Sequence, residues 1–139
     1  MKVKRVEYIA IAVNALGPSI DLLRNTFGLT LEYEEQIGQT RLAMLPVGET
    51  YIELLEGQGP ESGVTRWIGE KGPGLFYICF EVEDIDAALA ELKQKGVGLR
   101  DETPRIGHGG ARIAFLDPAS TGSVLIELAE LPASHGHPA

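Results

Sequence analysis

Two stretches of the chain alternate in the same way. Val6-Glu7-Tyr8-Ile9-Ala10-Ile11-Ala12-Val13 near the start and Leu75-Phe76-Tyr77-Ile78-Cys79-Phe80-Glu81-Val82 past the middle are rich in β-branched, aromatic and small apolar residues and read as strands. Each runs into a helical segment closed by glycine. The first spans Pro18 to Phe27 and stops at Gly28, with proline in the opening turn and glycine just beyond the last. The second spans Ile85 to Lys95 and stops at Gly96. Asp84 supplies an N-cap, and Ile85, Ala88, Leu89 and Leu92 form one apolar stripe.

The parallel continues. Thr40-Arg41-Leu42-Ala43-Met44-Leu45 matches Ala111-Arg112-Ile113-Ala114-Phe115-Leu116, and Tyr51-Ile52-Glu53-Leu54-Leu55-Glu56 matches Leu125-Ile126-Glu127-Leu128-Ala129-Glu130. Turn-like segments at 36–39, 47–49 and 118–123 separate the strands. Elements matching in the same order, with a glutamate at the same place in the last strand, imply a duplication rather than a chance likeness of apolar strands. The expected fold is therefore α+β: two tandem βαβββ modules, about 4–60 and 74–131, forming an eight-stranded cupped sheet in a single domain, 1–131. A Gly/Pro-rich linker, 57–63, and a short helix around Val64, Trp67 and Ile68 join the halves, and 132–139 reads as a flexible tail.

Alternation then assigns faces. Phe76, Ile78, Phe80 and Val82 should pack on the helices, leaving Tyr77, Cys79 and Glu81 on the other side, as Tyr8, Ala10 and Ala12 are in the first strand. Leu42, Met44, Ile113 and Phe115 are expected to point to the core, which turns Arg41, Ala43, Arg112 and Ala114 outward. One surface would thus collect Tyr8, Tyr77, Glu53, Glu127, Arg41 and Arg112. For the arginines, a solvent-facing side of a half-buried sheet explains the pattern equally well. The two glutamates interrupt strands that are otherwise apolar, and inward carboxylates serve to move a proton or to hold a cation.

Composition narrows the partners. The chain has 139 residues, a net charge of −8 and no basic cluster larger than Lys2-Val3-Lys4-Arg5, so nucleic acid and anionic membrane are unfavourable partners. No apolar run approaches the roughly 20 residues of a membrane span. The N-terminal stretch reads better as a strand than as a signal peptide, since Glu7 breaks it, and a cytoplasmic location is expected. Cys79 is the sole cysteine, which removes disulfides and cysteine-rich metal sites.

The segments Ile9–Val13, Pro46–Glu56 and above all Pro104-Arg105-Ile106-Gly107-His108-Gly109-Gly110-Ala111-Arg112-Ile113-Ala114-Phe115-Leu116 resemble the vicinal oxygen chelate, or glyoxalase-like, superfamily, and within it the methylmalonyl-CoA epimerases. Pro118, Ser120, Thr121, Gly122 and Val124 to Leu128 extend the likeness, which runs from about Val6 to Leu131. The resemblance implies an enzyme handling the proton beside a thioester carbonyl, and a homodimer, which would also cover open sheet edges. It implies a divalent metal held by two histidines and two Gln or Glu oxygens, polarising the carbonyl. Glu53 and Glu127 stand at the oxygen positions and are the expected catalytic pair. The resemblance places Tyr8 and Tyr77 at the histidine positions. A phenol with pKa about 10 is a poor ligand near neutral pH, so no resident cofactor or metal is expected, beyond a weak divalent cation at Glu53 and Glu127. Tyr8, Tyr77, Arg41, Arg112 and the loop residue His108 are then expected to bind a small anionic or acyl-thioester ligand, the tyrosines donating hydrogen bonds to a developing enolate. A binding protein on the same scaffold, holding such a ligand without turning it over, is the alternative.

Overall fold

A computed structural model describes residues 1–133 of the chain, so 134–139 of the expected tail lie outside the described residues. The elements run β1 (Val3–Ala12), α1 (Leu16–Phe27), β2 (Tyr33–Ile37), β3 (Thr40–Val47), β4 (Thr50–Gly57), α2 (Gly63–Lys71), β5 (Gly74–Val82), α3 (Ile85–Gln94), β6 (Arg105–Ile106), β7 (Arg112–Phe115) and β8 (Ile126–Glu130). The fold is α+β, with βαβββ occurring twice, α2 standing between the copies, and an eight-stranded sheet of order β2-β3-β4-β1-β5-β8-β7-β6. No helix among the described residues is long and apolar enough to cross a membrane.

The chain packs as two compact units, Tyr8–Phe76 on the one hand, and Met1–Glu7 with the chain from Tyr77 onward on the other. In the first, β3 pairs antiparallel with β2 and β4, and β1 lies parallel to β4. Its core joins Val13, Leu16 and Ile20 to Ala43, Leu45 and Leu54. In the second, β8 lies parallel to β5 and antiparallel to β7. Ile85, Ala88, Leu89 and Leu92, the expected stripe of α3, are all buried there against Val82, Ala114, Leu116 and Leu128.

Helices α1 and α3 begin by the same device. Ala15 offers α1 no side-chain cap, and the free N–H of Leu16 donates instead to Glu56 Oε1 at 2.7 Å. In the other unit Ile85 N–H donates to Glu130 Oε1 at 3.0 Å, in addition to the Asp84 cap on Ala87 N–H. A carboxylate at a helix N-terminus satisfies an orphan donor and opposes the macrodipole. This remote cap explains why α1 starts two residues before Pro18. It stops where the sequence requires, since Gly28 adopts φ 70°, the left-handed region.

Close approach between α2 and β4 fixes another glycine. A Cβ on Gly57 would lie 2.0 Å from Thr65 Oγ1 and 2.8 Å from the Thr65 backbone nitrogen. Gly57→Ala is expected to destabilise the protein by about 1–3 kcal/mol through overpacking, read as a lowered urea midpoint at unchanged slope.

Candidate active site

In the unit Tyr8–Phe76, strand register decides which side chains meet. Ala10 pairs with Glu53 across β1 and β4, Met44 pairs with Glu53 across β3 and β4, and Tyr33 pairs with Met44 across β2 and β3. Paired residues share a face, and neighbours along a strand alternate. One face therefore carries Tyr8, Tyr33, Tyr51 and Glu53 among Ala10, Leu42 and Met44. The opposite face, with Ala43, Leu45 and Leu54, packs on α1. Glu53 and Tyr8 are each only 1% exposed. The Tyr51 hydroxyl donates to Glu32 Oε2 at 2.6 Å.

The other unit repeats the pairing around its own glutamate. Cys79 stands where Ala10 stands, opposite Glu127, and Phe115 stands where Met44 stands, also opposite Glu127. The carboxylate face here holds Tyr77, Cys79, Glu81, Glu127, Ile113 and Phe115, and β6 adds Arg105, paired with Ile113. The Tyr77 and Phe115 rings meet edge-on with centroids 4.9 Å apart, and the Arg105 guanidinium lies over the Phe115 ring at 5.6 Å. Glu127 is 1% exposed, and burial pushes its carboxyl well above the usual carboxylate range.

Register also corrects the expected faces. Arg41 pairs with Glu56 and Arg112 with Glu130, on the helix side of the sheet with Leu54 and Leu128. There Arg41 bonds Glu34 at 3.0 Å, while Arg112 grips Asp86 of α3 through both terminal nitrogens, at 2.8 and 3.2 Å. The carboxylate side belongs instead to Leu42, Met44, Ile113 and Phe115, which were expected on the helix side. The error has a physical cause. Leu42, Ala43, Met44 and Leu45 are all buried, so apolar character alone cannot tell the two faces apart. His108 is also buried, at 9% exposure, in the Gly-rich loop.

Three residues of these faces escaped the sequence reading: Tyr33, Tyr51 and Arg105. The signal for Tyr33 was present. A two-residue turn at Gly38-Gln39 sets Ile37 against Thr40, and counting back along that hairpin puts Tyr33 against Met44. The chain has four tyrosines, and each shares a sheet face with Glu53 or Glu127.

Residues 7–115 match the model of the Glyoxalase/Bleomycin resistance protein/Dioxygenase superfamily. The chain belongs to this superfamily. It is 36% identical over 132 residues to the mitochondrial methylmalonyl-CoA epimerase of Dictyostelium discoideum, covering 91% of this chain and 78% of that one. It is 35% identical over 133 residues to the ethylmalonyl-CoA/methylmalonyl-CoA epimerase of Cereibacter sphaeroides, covering 91% and 98%. Among solved structures, a variant Streptomyces coelicolor methylmalonyl-CoA epimerase in complex with 2-nitronate-propionyl-CoA superposes with a TM-score of 0.90 at 33% identity, covering 95% of this chain and 97% of that one. These relatives are isomerases, so the superfamily resemblance of the Gly-rich loop and paired strands carries through to the epimerase branch.

Superfamily members typically hold a metal ion, and the donor chemistry of the two faces can be compared with that. The first face offers one buried carboxylate, Glu53, beside three phenols, and the second offers two, Glu81 and Glu127, beside the single phenol of Tyr77 and the thiol of Cys79. Among the described residues no group of three or more His, Cys, Asp or Glu is placed to hold an ion. A phenol must lose its proton to become a good ligand, which ordinarily happens near pH 10. The residues present do not fit a site built on two neutral nitrogens.

Proposed function

We propose that this protein is an epimerase-like enzyme that moves the proton beside a thioester or similar carbonyl, using Glu127 or Glu53 as the base and no resident metal. The observation that carries this reading is the twice-repeated placement of a buried glutamate and a tyrosine on the same sheet face. The carboxylate takes the proton from the carbon next to the carbonyl, the electron pair of that C–H bond passes into the carbonyl as an enolate, and reprotonation of the carbon restores the thioester. Tyr8 in the face of Glu53, and Tyr77 in the face of Glu127, each supply a phenolic O–H that can donate to an enolate oxygen formed there, a role a protonated phenol performs without a metal. Burial raises the Glu127 pKa, which suits the carboxyl to hold and return a proton as well as to take one. The epimerase relatives support the same substrate class, an acyl thioester with an anionic group. A homodimer belongs to this reading.

Deuterium uptake from D2O into methylmalonyl-CoA, followed by mass spectrometry, tests it. Exchange is expected at a rate unchanged by a chelator such as EDTA. Exchange abolished by chelation and restored by cobalt would overturn the metal-independent chemistry. Tight binding of the thioester without any exchange would establish the binding-protein alternative instead.

A further inference from the structure

Tyr33 lies on β2, an edge strand of the sheet order, yet it does not belong to the solvent. Its ring is half-buried on the face that carries Glu53. The path between them is short and direct: Tyr33 is opposite Met44, and Met44 is opposite Glu53. The two backbones are therefore separated by two strand spacings, about 10 Å, with the wholly buried Met44 as the floor between. Tyr51 stands two residues before Glu53 on the same face, and its hydroxyl is committed to Glu32, the residue just before Tyr33. That bond ties β4 to the start of β2 and fixes the backbone from which the Tyr33 ring projects.

We propose that Tyr33 is a ligand-facing donor of the site, its phenolic O–H orienting the acyl oxygen against the Glu53 carboxylate. The inference rests on the proposed function and adds a residue to it. The surroundings keep the group suited to donating. Burial first, then the negative charges of Glu35 and Glu53, and further Tyr51 and Glu32, push the Tyr33 hydroxyl well above the ordinary tyrosine value, so it holds its proton throughout the working pH range. A neutral donor beside an anionic base divides the labour of enolisation. The carboxylate takes the proton from carbon, and the phenol receives the charge that appears on oxygen without itself ionising.

Tyr33→Phe and Tyr33→Gln separate the hydroxyl from the ring. With an active wild type, Tyr33→Phe is expected to lower kcat for exchange about tenfold or more while KM moves less than about threefold, the mark of a contact strengthened in the transition state. Tyr33→Gln keeps an N–H donor and is expected to recover part of that loss. Gln36→Ala, on the opposite face of the same strand, is expected to match the wild type. Thermal melts of all variants guard against unfolding. Equal kcat and KM for wild type and folded Tyr33→Phe would overturn the inference while leaving the proposed function intact. A Tyr33→Phe variant that melts below the assay temperature transfers the decision to Tyr33→Leu, which also lacks the donor and for which wild-type kinetics or a loss confined to KM would overturn it. A wild type that shows no exchange would overturn the proposed function, and this inference with it.

Discussion

Replacing Glu127 by glutamine is expected to cut deuterium exchange into methylmalonyl-CoA by about 10²–10⁴-fold and, at the same time, to make the folded protein more stable at neutral pH. The two effects have one cause. Glu127 is buried in β8, with Cys79 and Phe115 as its cross-strand neighbours, and burial drives its pKa well up. The native state thus holds a proton that the unfolded chain has already lost. Stability falls as pH rises from the ordinary glutamate range, near 4.5, towards the raised value. Glutamine has the same shape and no proton to lose, so it removes that cost along with the base. Denaturant titrations of wild type and Glu127→Gln between pH 4 and 8 read the stability, and the exchange assay reads the function. A purely structural carboxylate would behave otherwise. Its loss would lower stability and leave any residual exchange in proportion to the folded fraction. Glu56 and Glu130 illustrate that second type, since each caps a helix N-terminus through a defined hydrogen bond.

The repeat was legible because it rests on local rules. Strand alternation, a proline near one helix start, and glycines at both helix ends are properties of short windows, and the α3 stripe Ile85, Ala88, Leu89, Leu92 is buried as its spacing requires. The positions of Glu53 and Glu127 within their strands follow from the same periodicity. The faces of β3 and β7 did not, because a strand with apolar residues on both sides carries no internal mark of direction. Only pairing across strands resolves it, and register is a non-local property set by the turns. Arg41 and Arg112 therefore lie on the side opposite to the one their local pattern predicts, while Tyr33 reaches the Glu53 face only through the register of two successive strand pairs. The caps from Glu56 and Glu130 were invisible for a related reason. Their partners at Leu16 and Ile85 are 40 and 45 residues away.

Acidification is expected to remove about 3 kcal/mol of stability through His108 alone, progressively as pH falls from about 6.5 to about 4. The Gly-rich loop explains how a loop histidine comes to be buried. Gly109 and Gly110 take φ 64° and 77°, a conformation that side-chain-bearing residues rarely adopt, and Gly107 N–H closes the turn onto Ala111 O at 2.8 Å. Gly107 also leaves no room for a side chain, since a Cβ there would approach Ile113 to 2.8 Å. Burial lowers the His108 pKa from 6.5 to about 4 by disfavouring the charged imidazolium. Between those values the unfolded chain binds a proton that the native state refuses, so stability is fully present above the window and is lost on the way down. Against a typical total of about 5–15 kcal/mol this is a large share. Glu127 acts in the opposite direction over the overlapping range, so the wild-type curve alone mixes the two. Differences against single variants separate them. His108→Gln is expected to flatten the slope between pH 4 and 6.5, whereas Glu127→Gln is expected to steepen the net loss towards acid by removing the opposing term. An unchanged slope in His108→Gln would mean that the imidazole titrates freely and that the loop opens to solvent in the native state.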